Sequence, residues 1–362
     1  MRILTFAGGL GLITLIVFIM VIGRDLLVPF MIAVVIWYLI HTLSDYFQKI
    51  RLAGRSLPPK LSFALALLTM MMALVLLFDM ISNNITDVKT AAPHYQENFR
   101  SLTGRFFALI GLDDQVNLNQ FLSQISLAPF ITNIASTMAA LAGNASLILI
   151  YLLFLILEEK FFPQKLDALL KNSRYDETVR TILTHVAQDI EKYVAIKTFV
   201  SLLTGLACYV VLILVGVDYA EFWAFIIFLL NYIPTIGSLL AVIFPALLSL
   251  VQFDTFTPFV VVLVTLGTIQ FSVGNILEPK LMGNSLNLSP LVVMLSLALW
   301  GSIWGIAGMF LSVPFTVILM IVFSQFPATR PVAILLSQDG YIKARKVVKN
   351  SGSPQQEEAA GV

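Results

Sequence analysis

The sequence predicts an all-α, polytopic integral membrane protein with about six spanning helices and two helical hairpins. Three observations carry that reading. The chain is 58% hydrophobic and only 12% charged, with mean hydropathy +0.90, too little polar surface to cover soluble domains. Several apolar runs reach about 20 residues, the length that crosses a hydrocarbon core of roughly 30 Å. Two further runs, 222–251 and 289–323, carry helix breakers near their middles.

The candidate membrane segments are roughly 3–22, 26–44, 61–82, 141–157, 199–217, 222–251, 258–277 and 289–323. No small-x-small pattern precedes Gly23-Arg24-Asp25, so the first segment reads as a retained helix, not a cleaved signal. Polar stretches divide the chain into 1–82, N-terminal membrane helices; 83–140, an extracytoplasmic helical insertion; 141–198, one membrane helix followed by cytoplasmic amphipathic helices; 199–325, a transport core; and 326–362, a partly disordered cytoplasmic tail. Within 176–197, Val179, Ile182, Leu183, Val186, Ile190, Tyr193 and Val194 share one face, as in an interfacial helix.

Basic residues set the orientation. With both termini cytoplasmic, only Arg24, Lys89, Arg100 and Arg105 of the 22 lysines and arginines fall outside. That count requires 222–251 and 289–323 each to start and finish on one side. As straight helices they would be about 45 and 52 Å long, too long for one span and short for two. Residues 231–238 and 300–308 supply proline and glycine for a turn in each. The alternative is a pair of long, kinked helices. If both are hairpins, each follows a span of opposite direction, which makes an inverted repeat with a site where the broken helices meet.

The formal net charge of +1 gives no support to nucleic-acid binding. Cys208 stands alone in an apolar run, and His41, His94 and His185 fall in three different regions, so neither a disulfide nor a metal centre is expected. There is no phosphate-binding loop, no dinucleotide fingerprint and no paired nucleophile and base, so the chain reads as a non-enzyme without cofactor.

Polar groups in apolar segments are costly and tend to face a cavity or a partner. Asn231, Pro234, Thr235, Gly237 and Ser238 at the first break are substrate-pathway candidates, with turn formation as the competing account. On 258–278, Gly267, Phe271, Gly274, Asn275 and Glu278 share a helical face, whose small residues would allow close packing. Asn275 and Glu278 join the candidates. Glu278 could pair with Lys280 or another basic residue, or couple to protons or cations, and Asp79 has a similar standing.

Lys197-Thr198 ahead of Thr204-Gly205, NYIPTIGS at 231–238, GNILEPKLMG at 274–283, LSPLVVMLSLALWG at 288–301 and GMFLSVPFT at 308–316 resemble the autoinducer-2 exporter family of bacterial membrane proteins. Asn231, Pro234, Gly237, Asn275, Glu278, Pro279 and Pro290 fall on its motif positions. The resemblance implies a multispanning, homo-oligomeric permease of the bacterial cytoplasmic membrane. Its implied cargo is a small, neutral, polyhydroxylated quorum-sensing signal. Sodium (lithium)/proton antiport is the first alternative. A non-transporting scaffold that binds an envelope partner through 83–140 is the second.

Overall fold

The computed structural model describes residues 2–52, 55–76, 79, 143–171, 176–283 and 287–340. The 83–140 insertion and the tail beyond Gly340 lie outside them. Among the described residues the regular structure is helical apart from a two-residue antiparallel ribbon, Arg51–Leu52 with Arg55–Ser56, and an isolated antiparallel bridge between Leu288 and Ser337. The helices are α1 (Arg2–Ile22), α2 (Arg24–Lys49), α3 (Pro59–Leu76), α4 (Ala145–Glu158), α5 (Phe162–Leu170), α6 (Asp176–Val215), α7 (Ala220–Leu230), α8 (Ile236–Gln252), α9 (Phe256–Ser272), α10 (Glu278–Met282), α11 (Pro290–Gln325) and α12 (Arg330–Leu336). Among the described residues five helices are long and apolar enough to cross a membrane: α2, α3, α6, the continuous α9–α10 rod and α11.

Two bundles form. In the first, α3 and α4 pack on α2 around Ala33, Ile36, Ile40 and Leu152. Glu159, just past α4, accepts from Trp37 Nε1 at 3.1 Å and lies 3.0 Å from His41 Nε2, tying α4 to α2. In the second, α6, α7, α8 and α9 enclose a core that includes Cys208, Leu212, Ile227, Ala241, Val262 and Leu266. Helices α6 and α9 are antiparallel: Lys197 meets Glu278 at one end, while Cys208 and Leu212 share the core with Val262 and Leu266 toward the other.

Two expectations from the sequence are corrected. Residues 176–197 do not form a separate interfacial helix but continue into the span 199–217 as one 40-residue helix, since no proline interrupts them. Their apolar face, Ile182, Val186 and Ile190, packs beside Val35 and Leu39 of α2 and the base of α11. Nor do Gly267 and Gly274 mediate close packing, because nothing lies within 4 Å of a Cβ built on either. The close approach is at Gly205, where a Cβ would lie 3.1 Å from the Ala224 carbonyl.

Both breaks are true reversals. Helices α7 and α8 form hairpin 1. Its base is held by Gln252, whose Oε1 accepts from the Asp218 amide and whose Nε2 donates to the Gly216 carbonyl, both at 2.8 Å. Its tip bends at Thr235 (φ 59°, ψ −60°), where the Ile236 amide donates to the Pro234 carbonyl at 2.6 Å. That is a positive-φ γ-turn, a strained conformation for a β-branched residue. Helix α11 reverses at Gly305 (φ 61°, ψ −137°) to make hairpin 2. Trp300 Nε1 therefore reaches Thr316 Oγ1 at 3.3 Å, although 16 residues of straight helix would separate them by about 24 Å.

The hairpins point in opposite directions. Hairpin 1 begins at the Gly216 end of α6, and its tip reaches Thr198, whose hydroxyl is 2.6 Å from Tyr232 OH. Hairpin 2 begins at the other end, with Leu288, Val317 and Ile321 against Tyr193 and Val194. They meet where the ring of Tyr232 stacks on Phe310, centroids 4.4 Å apart.

Each reversal depends on a glycine. A Cβ on Gly237 would sit 1.7 Å from the Leu230 carbonyl oxygen, and one on Gly308 would sit 1.9 Å from that of Trp300. Gly237→Ala or Gly308→Ala should therefore cost on the order of 3 kcal/mol or more, by forced separation of packed backbone. Gly267→Ala and Gly274→Ala should be neutral or stabilising by up to about 1 kcal/mol, as helix propensity dictates. Thermal melting in detergent checks the contrast. Thr235→Gly should raise the melting temperature by relieving about 1–3 kcal/mol of backbone strain.

Candidate functional site

The polar groups of the second bundle gather along one face of α6. Tyr193, Lys197, Ser201 and Thr204 succeed one another at spacings of three or four residues, and all are buried. Lys197 Nζ donates to Glu278 Oε1 at 2.5 Å across 81 residues of sequence. Its side chain is 4% exposed and that of Glu278 is 19% exposed. Two isolated charges at this depth would be untenable; together they form a short, charge-assisted hydrogen bond with no net charge.

Glu278 reaches Lys197 because α9 ends in a π turn, Val273–Leu277. The buried face of α9 runs through Val262, Leu266, Gln270 and Val273. The extra residue in the wider turn rotates the helix beyond it and carries Glu278 onto that face. A regular helix would leave Glu278 beside Phe271 and Asn275, which are exposed. The single face expected for Gly267, Phe271, Gly274, Asn275 and Glu278 is thus broken at the turn.

A cavity of about 500 Å³ opens beside the ion pair, within the range of roughly 300–1,000 Å³ common to small-molecule sites. Tyr193 and Lys197 form one wall, and Glu278, Met282 and Gly283 another. Pro234 comes from the tip of hairpin 1, Val293 and Val313 from hairpin 2, and Gln338 and Asp339 from the segment after α12. That segment is pinned to the base of hairpin 2 by hydrogen bonds from the Ser289 amide to the Leu336 carbonyl and from the Gln338 amide to the Asn287 carbonyl, both 3.0 Å. Tyr193 OH is buried and has no hydrogen-bond partner among the described residues. The cavity wall therefore mixes an ion pair, the polar side chains of Gln338 and Asp339 and apolar residues, with the Tyr193 hydroxyl buried behind it, a lining that suits a small polar solute.

Of the residues singled out in the sequence, Pro234 and Glu278 line the cavity. Asn231 is 2% exposed and sits beside it, its Nδ2 donating to Ser201 Oγ at 3.0 Å. Thr235 is the exposed apex of the tip, Gly237 is buried beneath the Leu230 carbonyl, and Ser238 is half-buried in the first turn of α8. Asn275 does not join them; it is exposed, and its Nδ2 donates to the Phe271 carbonyl at 3.1 Å within the π turn. Asp79 is exposed. Among the described residues no three His, Cys, Asp or Glu side chains gather as metal ligands would.

Sequence reasoning missed Tyr193 and Lys197. Both were legible as polar groups leading into an apolar run at i, i+4 spacing with Ser201, but Lys197 passed as a cytoplasmic charge and Tyr193 as part of an interfacial face.

Removing one partner of the buried pair, by Lys197→Met or Glu278→Leu, should cost about 3–5 kcal/mol, because the other is left unpaired. The double replacement Lys197→Met/Glu278→Leu should recover most of that stability. Thermal melting of the four proteins, analysed as a double-mutant cycle, checks the coupling.

The sequence model of one family, described as AI-2E family transporter, matches residues 10–328. AI-2 transport protein TqsA of Escherichia coli strain K12 is 30% identical over 332 residues, 91% of this chain and 94% of the relative. A protein of Borreliella burgdorferi named as a transport protein is 33% identical over 240 residues, 66% of each chain. YhhT of Escherichia coli strain K12, also named as a transport protein, is 27% identical over 321 residues, 87% of this chain and 88% of the relative. A polytopic helical membrane protein agrees with these matches, and the chain belongs to the AI-2E transporter family, a family of membrane transporters.

Proposed function

We propose that this protein exports a small, neutral, polyhydroxylated signal of the autoinducer-2 type across the bacterial cytoplasmic membrane. The observation that carries the reading is the composition of the cavity wall. Lys197 and Glu278 cancel each other's charge while keeping hydrogen-bonding capacity on their remaining protons and lone pairs, and Tyr193 holds an unpartnered hydroxyl buried just behind the wall. A hydroxylated solute satisfies such groups, and Gln338 and Asp339 add an amide and a carboxylate to the same wall. The relative named as an AI-2 transport protein supports the same cargo.

In this reading both termini are cytoplasmic, which the distribution of lysine and arginine supports. The cavity, next to Lys197 and Gln338, then opens toward the cytoplasm, on the side from which an exporter loads. The solute passes between the two opposed hairpins, without ATP hydrolysis by this chain. The working unit is a homo-oligomer, which crosslinking in native membranes tests directly.

A sodium/proton antiporter is the second reading, favoured by one observation: Glu278 is a carboxylate that water can reach from the cavity. Sodium added to proteoliposomes holding a pH gradient separates the two readings. A response abolished by Glu278→Gln would favour antiport, and no response in the unmutated protein removes it.

Export itself is tested by the accumulation of external signal in cells with and without the gene. Deletion should lower accumulation, and so should Tyr193→Phe and Asn231→Ala, each by several-fold for the loss of a hydrogen bond of about 1 kcal/mol. Asn275→Ala should leave export near normal, since Asn275 faces away from the cavity. Unchanged accumulation on deletion would dismiss this cargo.

A further inference from the structure

Gln270 is the most anomalous polar residue of the bundle. It lies on the buried face of α9, it is 5% exposed, and both its Oε1 and its Nε2 lack a hydrogen-bond partner among the described residues. Amides buried in hydrocarbon surroundings without partners are rare and call for an explanation. A leucine or methionine would fill the same space more stably, so packing alone gives no reason for an amide here.

Its height in the bundle supplies a reason. Counting from the Lys197–Glu278 pair at 1.5 Å per residue, Ser201 lies about 6 Å, Thr204 about 10 Å and Gln270 about 12 Å further along the antiparallel α6–α9 pair. Ser201 carries Asn231 of the hairpin 1 tip at 3.0 Å. At Gly205, beside Thr204, the first arm of hairpin 1 approaches α6 closely enough that a Cβ would lie 3.1 Å from the Ala224 carbonyl. The polar line that begins at Tyr193 in the cavity thus continues through Lys197 and Glu278, then Ser201 and Asn231, to Thr204 and Gln270. It ends among Leu266, Cys208 and Leu212, where the core turns apolar.

We propose that Gln270 is a solute-contacting residue at the deep end of this line, its amide held unpaired for the hydroxyl groups of the cargo. The proposal rests on the export reading above and names a contact that it lacked. An amide has one acceptor and two donors and suits a neutral polyol. Gln270 is not in the cavity wall, so the solute reaches it only as the tip of hairpin 1 withdraws from Ser201 and Thr198.

The test uses the full chain in vesicles loaded with autoinducer-2. Gln270→Met should melt at a higher temperature than the unmutated protein, because an unsatisfied amide is gone, and should export about tenfold more slowly for the lost hydrogen bonds. Gln270→Leu provides the same comparison should the methionine variant fail to fold. Full-rate export by either would overturn the proposal. In a Cys208→Ala background, maleimide should label Gln270→Cys more slowly when the signal is present; labelling indifferent to the signal would overturn it as well. Absence of export by the unmutated protein would be a different failure, that of the cargo reading itself, and would take this contact with it.

Discussion

Hydrocarbon offers no hydrogen bonds, so every polar group of a chain that crosses a membrane must find its partner within the protein. The architecture derives from that constraint. Helices satisfy their own backbones, and at the two reversals residues near each turn are buried, although the apices Thr235 and Gly305 are exposed. At the tip of hairpin 1, Asn231, Tyr232 and Ile233 are all buried; the Asn231 amide is held by Ser201, and the Tyr232 ring by Thr198 and Phe310. At hairpin 2 the indole of Trp300 is anchored by Thr316, and that of Trp304 donates to the Met20 carbonyl of α1 at 2.9 Å. The reversals can be tight because Gly237 and Gly308 let one arm touch the backbone of the other.

The same constraint explains the site. A lysine at the start of an apolar span is tolerable only beside a carboxylate, and Glu278 supplies one from the start of α10. The pair sits where the tip of hairpin 1, the base of hairpin 2 and the segment after α12 converge, so it ties together the elements that wall the cavity. Exceptions to full pairing are then informative. Among the described residues Thr42 Oγ1, Trp223 Nε1, Tyr193 OH beside the cavity and the Gln270 amide deeper in the bundle are left open, and the last two lie along the path proposed for the solute.

Much of this architecture was legible in the sequence. Runs of 30 and 35 residues with central breakers implied hairpins, because neither length fits one span or two, and the reversals fall inside 231–238 and 300–308. The continuity of α6 could also have been read, since no proline separates Asp176 from Val215. The illegible part depends on contacts across the chain. The partner of Glu278 is 81 residues away, and the π turn that points it there has no fixed sequence signature. Asn275 looked equivalent to Glu278 on a regular helix and ends up facing outward for that reason. Gln270, one residue off the face that carries Phe271 and Asn275, was visible as a lone amide in an apolar run, but its lack of a partner is a property of the packed bundle.

The central claim is that solute passes between the two hairpins, which meet in this structure through Tyr232 and Phe310. The most direct measurement bridges them covalently. With Cys208→Ala, Tyr232→Cys and Phe310→Cys in one chain, a short reducible crosslinker should halt signal export from loaded vesicles, and reduction should restore it. Undiminished export by fully bridged protein would contradict the account, because the cargo would then be crossing elsewhere.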